Sequence, residues 1–355
     1  MSTLDTALKK MPEALARVLT TPFNPDDYLE LVNPLWSRSD IRARVHDVVR
    51  ETDQAVTLRL TPNANWPGHR AGQHVRIGVE IDGVREQRTF TVSAAPGEPL
   101  TLTIKRNGPG GVSDYVVNRV EPGTIVYLSE PAGEFHLPAP VPEKLLMIAG
   151  GSGITPIRSM LTDLYRRGWN GDARLIYCNQ NADATIFRDE LEALAADWPA
   201  LELIQLHADA GEFLTPERLT RAVPDFAERE TWLCGPGGLM AVVEDFYAEQ
   251  NLNDRLHLER FQEPERGAPG EGGRVRFALS GGEAVGSGAE SVLELAEAQG
   301  LEPKHGCRMG ICHTCVCRLE NGRLRNLHNG ELFEAQGLPV RICVHAPEGE
   351  VELEL

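Results

Sequence analysis

The sequence predicts a multidomain chain: an antiparallel β domain, an α/β domain on a parallel sheet, and a short β-rich module that holds most of the cysteines. Three observations predict it. Short alternating runs separated by Gly, Pro, Asn and Asp fill residues 41–137, a strand–helix–strand rhythm begins at Leu145, and GCRMGICHTC sets three cysteines in ten positions. At 355 residues, 41% hydrophobic and 25% charged, the chain is long enough for two or three domains, each with its own core. A net charge of −17 argues against nucleic acid and against adsorption to an anionic bilayer, since both select basic surfaces. No stretch approaches the ~20 apolar residues of a membrane span. The opening run MSTLDTALKKMPEALARVLTTPF lacks the apolar core and cleavage site of a secretory signal. Seven cysteines, four of them near residue 310, suit metal binding in a reducing cytoplasm better than a disulfide framework.

Taken in order, residues 1–36 read as an N-terminal helical extension, two weakly amphipathic runs broken at TPFNPDD. Residues 37–138 hold ARVHDVVRET, AVTLRLTP, HVRIGVEI, LTLTIKR and GTIVYLSEP, the pattern of an antiparallel sandwich or barrel. HLPAPVPEK interrupts, its prolines favouring an extended connection. Across 142–262, LLMIAG leads to a helix at GITPIRSMLTDLYRRG, ARLIYCN to DATIFRDELEALAADW, and LELIQLHA precedes TWLCGP and the helix LMAVVEDFYAEQ. Such alternation implies a parallel sheet flanked by helices. Residues 263–273, with GAPGEGG, read as a flexible linker, and 274–355 as a last module with strands at RVRFAL and EVELEL and a helix at SVLELAEAQG.

The cysteine spacing is Cys307, four residues, Cys312, two residues, Cys315, then twenty-seven residues to Cys343. A plant-type [2Fe–2S] ferredoxin is ligated by C-x4-C-x2-C with a distant fourth cysteine. Structural zinc, the alternative, favours paired C-x2-C knuckles or histidines at set distances, and only one such pair is present. Gly306 and Gly310 suit a loop that wraps an anion and donates N–H groups to sulphide. Cys317 and Cys178 read as buried packing residues, and His313 lacks the second histidine of a Rieske site. The module resembles a plant-type ferredoxin over its whole length, including RICVHAPEGEVELEL after the fourth ligand, which implies the β-grasp fold.

In REQRTFTVSAAP, Arg88-Thr89-Phe90-Thr91 resembles the R-x-Y-S/T flavin motif of the ferredoxin–NADP reductase family, whose first domain is an antiparallel β-barrel. Arg88 offers a bidentate fork for the flavin phosphate. Phe90, on the same strand face, suits packing on the isoalloxazine, and the Thr91 hydroxyl suits a hydrogen bond to flavin N5. Phe90 departs from the commoner tyrosine, so a ribityl hydrogen bond is lost and ring packing kept. Downstream, Gly110, Gly111, Val112 and Ser113 open a helix whose backbone N–H groups suit a pyrophosphate. The resemblance implies FAD, with FMN as the less favoured flavin. His74 in AGQHVRIGV, a candidate proton donor by residue type, reads as a barrel residue that flanks the flavin and is assigned no role.

MIAGGSGITPIRSM places Gly150, Gly151 and Gly153 between a strand and a helix, followed by Thr155 and Pro156. It resembles the family's G-G-x-G-I/V-T-P loop, which lets a dinucleotide backbone approach. LCGPGGLM is similar to the family's C-G-P-x-x-M, through Cys234, Gly235, Pro236 and Met240, and would bring Cys234 near the nicotinamide C4. Glu259 and Phe261 in HLERFQ match a terminal E-x-F close to the flavin face. The resemblance thus implies catalytic roles for Thr91, Cys234 and Glu259. NADPH and NADH stay open, because NQNADATIFRDEL shows no clear grip on a 2′-phosphate beyond Arg188.

From about residue 40 to the end, the resemblance implies that hydride from NAD(P)H enters at the flavin and electrons leave singly through the cluster. YLELVNPLWSRSDIRARV, the flavin-motif run and GCRMGICHTCVCRL together resemble redox partners of bacterial membrane acyl-CoA (stearoyl-CoA type) desaturases. The alternative is the reductase component of a Rieske or diiron ring- or alkane-hydroxylating oxygenase, and a distant third is a redox-sensing module. Either partner would dock near the ferredoxin module, whose 15 carboxylates against 9 lysines and arginines from residue 263 onward favour a basic surface.

Overall fold

The computed structural model describes residues 32–355 except 39, 82–83, 109–110, 262–268, 306–314, 328–329 and 335–336. The expected N-terminal helical runs therefore lie largely outside the described residues. The chain divides into two units, Met1–Glu259 and Arg260–Leu355.

The first unit begins with β1 (Ile41–Thr52), β2 (Ala55–Pro62), β3 (His74–Ile81), β4 (Val84–Thr91), β5 (Leu100–Lys105), helix α1 (Gly111–Arg119) and β6 (Ile125–Leu128). The strands run in the order β4-β3-β6-β1-β2-β5. A bridge between Val92 and Leu102, just past β4, joins the two edges and closes the barrel. Alternation explains why these residues form strands: Val45, Val56, Leu58, Val75, Ile77, Leu102 and Ile104 all point inward with no exposure. Val112, Val116 and Val117 of α1 add to the same core.

Next follow β7 (Lys144–Gly150), α2 (Ile154–Arg166), β8 (Asp172–Asn179), α3 (Arg188–Asp197), β9 (Leu201–His207), α4 (Pro216–Ala222), β10 (Glu230–Cys234), α5 (Gly237–Glu249) and β11 (Leu256–Glu259). The sheet is parallel, in the order β11-β10-β7-β8-β9. Strand order reverses between β7 and β10, so the chain leaves these two neighbours toward opposite faces of the sheet and their carboxyl ends form the switch point where a dinucleotide can lie. Buried on both faces, β7 reads as one apolar run. Arg229 (1% exposed) ties the amino ends of the sheet together, donating to Asp172, Asp225 and the carbonyl of Leu145.

Helix α2 holds the barrel against this sheet. Arg158 Nη1 donates to the Ser93 carbonyl at 2.7 Å, Ser159 Oγ to the Ala94 carbonyl at 2.6 Å, and Arg166 to the Pro96 carbonyl at 3.2 Å. These acceptors immediately follow β4, so the strand with the flavin motif is fixed relative to the glycine loop.

The second unit comprises β12 (Gly273–Phe277), β13 (Glu283–Gly286), α6 (Val292–Ala298), β14 (Val316–Asn326), β15 (Leu332–Phe333), β16 (Pro339–Arg341) and β17 (His345–Leu353). Its sheet runs β13-β12-β17-β14-β15, with β16 paired to β14, and only the β12–β17 pair is parallel. Helix α6 starts on a capping box in which Ser291 and Glu294 satisfy each other's backbone N–H. Its buried face, Val292, Leu293, Leu295 and Ala296, covers the sheet.

Candidate functional site

The flavin motif divides between two faces of β4, as strand geometry requires. Arg88 and Phe90 pair in register with Ile77 and Val75, Thr89 and Thr91 with Arg76 and His74. Arg88 is exposed, and Phe90 is half-buried against the barrel core. Thr91 is 2% exposed, and its hydroxyl, like that of Thr89, is buried without a hydrogen-bond partner. Buried hydroxyls are ordinarily paired, so two unmet ones two residues apart on one face of β4 fit a polar cofactor edge. Gly111 opens α1 at φ +72°, and the Asn107 N–H donates to Ser113 Oγ at 3.1 Å. Val112 gives its side chain to the core, leaving only its backbone for an anion. Gly110 lies outside the described residues.

At the carboxyl ends of β7 and β10 three glycines answer to close packing. A Cβ at Gly150 would meet Pro236 Cδ at 2.6 Å, one at Gly153 the Cys234 carbonyl oxygen at 2.1 Å, and one at Gly235 the Leu239 side chain at 2.9 Å. The two loops interlock, which keeps side chains out of the crevice and fits a dinucleotide backbone lying across it. Gly151, at φ +52°, makes the turn itself. Thr155 is buried, its hydroxyl donating to the Ser152 carbonyl at 3.0 Å, and Pro156 is buried beside it. Met240 sits in the hydrophobic core beneath α5, where it anchors the Cys234–Pro236 loop from below. Arg188, half-buried at the start of α3, pairs with its neighbour Asp189 and donates to the Ala182 carbonyl at 3.4 Å.

Cys234 and Glu259 are register partners on β10 and β11. Burial, then the Glu259 carboxylate, pushes the Cys234 thiol well above its ordinary range, so it stays protonated and neutral. Glu259 also reaches the barrel: its Oε1 lies 3.5 Å from His74 Nδ1. Thr91, Cys234 and Glu259 thus come together through His74, Thr91's own register partner. Sequence reasoning gave His74 no role and missed Arg158 and Ser159. A histidine in a strand and an arginine on a helix carry no signal of a partner 65 or more positions away. Phe261 is half-buried and belongs to the second unit.

In the second unit Cys315 and Cys343 are 3% and 5% exposed. Pairing of β14 with β16 brings them together, the Ile342 N–H donating to the Cys315 carbonyl at 3.2 Å. Cys307 and Cys312 lie outside the described residues. The donor set of four cysteines in this spacing fits a [2Fe–2S] cluster. Burial, followed by the neighbouring Cys315, pushes the Cys317 thiol to about 12, and Cys317 packs against the core as a neutral side chain.

Comparison with known proteins agrees with this division. The family model described as an oxidoreductase NAD-binding domain matches residues 147–245, and that described as a 2Fe-2S iron-sulfur cluster binding domain matches 280–348. An NADPH oxidoreductase of Mycobacterium tuberculosis is 38% identical over 96% of this chain and 91% of its own length. The chain belongs to the ferredoxin–NADP reductase-like flavin and iron–sulfur reductases. This reductase is also 30% identical to the stachydrine N-demethylase reductase subunit Stc4 of Rhizobium meliloti, over 80% of this chain and 87% of that one. To the glycine betaine monooxygenase reductase subunit of Chromohalobacter salexigens it is 27% identical, over 94% and 98%. Its fold matches that of phthalate dioxygenase reductase with a TM-score of 0.66 at 23% identity, over 89% of this chain and 98% of that one. The reductase is an NAD(P)H oxidoreductase of the flavin-dependent kind with a [2Fe–2S] cluster domain. Among the described residues, no helix is long and apolar enough to cross a membrane.

Proposed function

We propose that this reductase is the electron-supplying component of an oxygen-activating partner enzyme, first of all an oxygenase. A bound FAD would supply the exchange between hydride from NAD(P)H and single electrons, and a cluster held by the four cysteines would supply the one-electron exit. The observation that carries the assignment of roles is the convergence of Thr91 from the barrel with Cys234 and Glu259 from the parallel sheet. In this reading Arg88 and the N–H groups at Gly110, Gly111, Val112 and Ser113 hold the flavin phosphates, while Thr89, Phe90 and Thr91 orient the ring. Gly150, Gly151, Gly153, Thr155, Pro156, Gly235 and Pro236 shape the dinucleotide groove. Cys234 presents a neutral thiol beside it and Glu259 supplies a carboxylate at the junction, with Phe261 the aromatic of the terminal E-x-F motif. Cys307, Cys312, Cys315 and Cys343 ligate the cluster. We read the domains as 37–138 for flavin, 142–262 for nicotinamide and 274–355 for the cluster, joined by 263–273.

Relatives named as reductase subunits of a demethylase and a monooxygenase support the oxygenase partner. A membrane acyl-CoA desaturase is the second reading, favoured by the segment YLELVNPLWSRSDIRARV. This segment is tied to the barrel, Asn63 donating to the carbonyls of Leu35 and Asp40 and Asn65 to that of Ser37. Reconstitution tests both: the reductase and NADPH or NADH are mixed with a hydroxylating oxygenase or with desaturase-bearing membranes, and oxygenated or desaturated product is scored. Product from membranes alone overturns the oxygenase reading, and product from neither overturns both.

A further inference from the structure

His74 opens β3 of the barrel, and Glu259 ends β11 of the parallel sheet. Their side chains are 7% and 11% exposed, with Nδ1 and Oε1 3.5 Å apart. Each stands beside a site residue on an adjacent strand, His74 next to Thr91 and Glu259 next to Cys234. Register partners project to the same sheet face, so the pair links the two groups directly.

The imidazole has a seat built for it. The backbone of His74 exchanges two hydrogen bonds with Ala132, both at 2.9 Å. Gly133 follows at φ +105°, where a Cβ would come within 2.8 Å of His74 Nδ1 and 2.9 Å of Cε1. That position needs glycine twice over, for its backbone angle and for the room it leaves the ring. Nδ1 is buried without a hydrogen-bond partner. A nearly buried carboxylate requires a counter-charge or a proton, and the atom facing it is this unmatched nitrogen.

We propose that His74 is a positioning residue of the hydride-transfer site. It shares one proton with Glu259 across the boundary between barrel and parallel sheet, and so fixes the carboxylate beside Cys234 and Thr91. An Nδ1–H donated to the carboxylate closes the 3.5 Å gap to a hydrogen bond. Without the imidazole the carboxylate has no cation within reach among the described residues and turns toward solvent, taking the junction out of register.

This inference rests on the junction being where hydride is transferred. The test uses purified holoenzyme and follows flavin bleaching by NADPH under anaerobic conditions, with FAD content and the dissociation constant for NADP+ measured alongside. His74→Leu keeps the packing and removes the polar nitrogen; His74→Asn places an amide near Nδ1. His74→Leu is expected to lower the limiting bleaching rate about 10- to 100-fold, as small misplacements of reacting groups do, with FAD content and NADP+ affinity unchanged. His74→Asn should stay within about threefold of wild type, and His74→Leu/Glu259→Gln should be no slower than the slower single variant. A His74→Leu rate within about twofold of wild type, equal losses in both variants, multiplicative losses in the double variant, or a loss that follows FAD content would each overturn the proposal. Wild-type protein whose flavin NADPH does not bleach would instead remove the reductase reading beneath it.

Discussion

Gly153 offers the sharpest steric test of the nucleotide groove. Its φ of −63° and ψ of −7° are open to any residue, so the absence of a side chain answers to space alone. In Gly153→Ala the new methyl would lie 2.1 Å from the Cys234 carbonyl oxygen, 2.5 Å from its carbon and 2.9 Å from the Gly235 nitrogen. All three are backbone atoms and cannot swing aside. Relaxed contact is at roughly 3.5 Å, so the β10 loop must retreat by about an ångström. Overpacking of this kind costs about 1–3 kcal/mol, which leaves the domain folded. An ångström at the reacting centre is worth about 100-fold in rate, or about 2.7 kcal/mol. Stopped-flow bleaching of the flavin by saturating NADPH should therefore slow about 100-fold, while dithionite reduction and FAD content stay as in wild type. A folded, FAD-replete Gly153→Ala protein that bleaches at the wild-type rate refutes the interlocked-loop argument. Gly151→Ala differs in cause: its Cβ meets Lys105 Nζ at 3.5 Å and no backbone, and the change costs about 1–2 kcal/mol of left-handed backbone strain.

Cys312→Ser should abolish the cluster and cytochrome c reduction while leaving ferricyanide reduction by the flavin largely intact; loss of both would show that the stations are not separable. Thr91→Val, which removes an unpaired buried hydroxyl, should leave melting temperature within about a degree or two yet slow flavin reduction. Asp225, with Arg229 and then Lys144 as its hydrogen-bonding partners, has its carboxyl depressed to about 2. Its contribution is complete above the ordinary carboxylate range and is lost as pH falls toward 2, about 1–2 kcal/mol after allowing for its partial exposure. Arg229→Met should cost about 3 kcal/mol at pH 7 and flatten that acid dependence in urea titrations at pH 5 and pH 3. Electron delivery to the natural partner should slow as salt rises if the acidic ferredoxin module steers docking, and a salt-independent rate would exclude steering.

Much of the fold could be read because each sheet carries its own period. β7 and β8 are buried on both faces and read as continuous apolar runs, and the barrel strands alternate because only one face meets the core. Gly150, Gly153 and Gly235 were legible as a groove, although the interlock between their loops depends on packing that no local pattern encodes. Met240 looks like part of the nucleotide motif, yet its side chain goes into the core, since a motif position can be kept for the loop it anchors. His74 was legible as a neighbour of the flavin but not as a partner of Glu259, and Arg158 and Ser159 were not legible as interface residues. Their partners, Glu259, Ser93 and Ala94, lie 65 to 185 positions away in the chain, and only tertiary contact distinguishes them from ordinary barrel or helix residues. Arg229 was silent for the same reason: a charge before a strand reads as solvated, and its burial follows from Asp172 on another strand.

The route of the electrons is tested most directly in a single turnover. One equivalent of NADPH is mixed anaerobically with the holoprotein, and flavin absorbance and the electron paramagnetic resonance of the reduced cluster are followed together. Flavin bleaching should come first, with the cluster signal growing in afterwards, and in Cys312→Ser the bleaching should persist with no cluster signal. A cluster signal that appears ahead of flavin bleaching, or cytochrome c reduction that survives in Cys312→Ser, would contradict entry at the flavin and exit at the cluster.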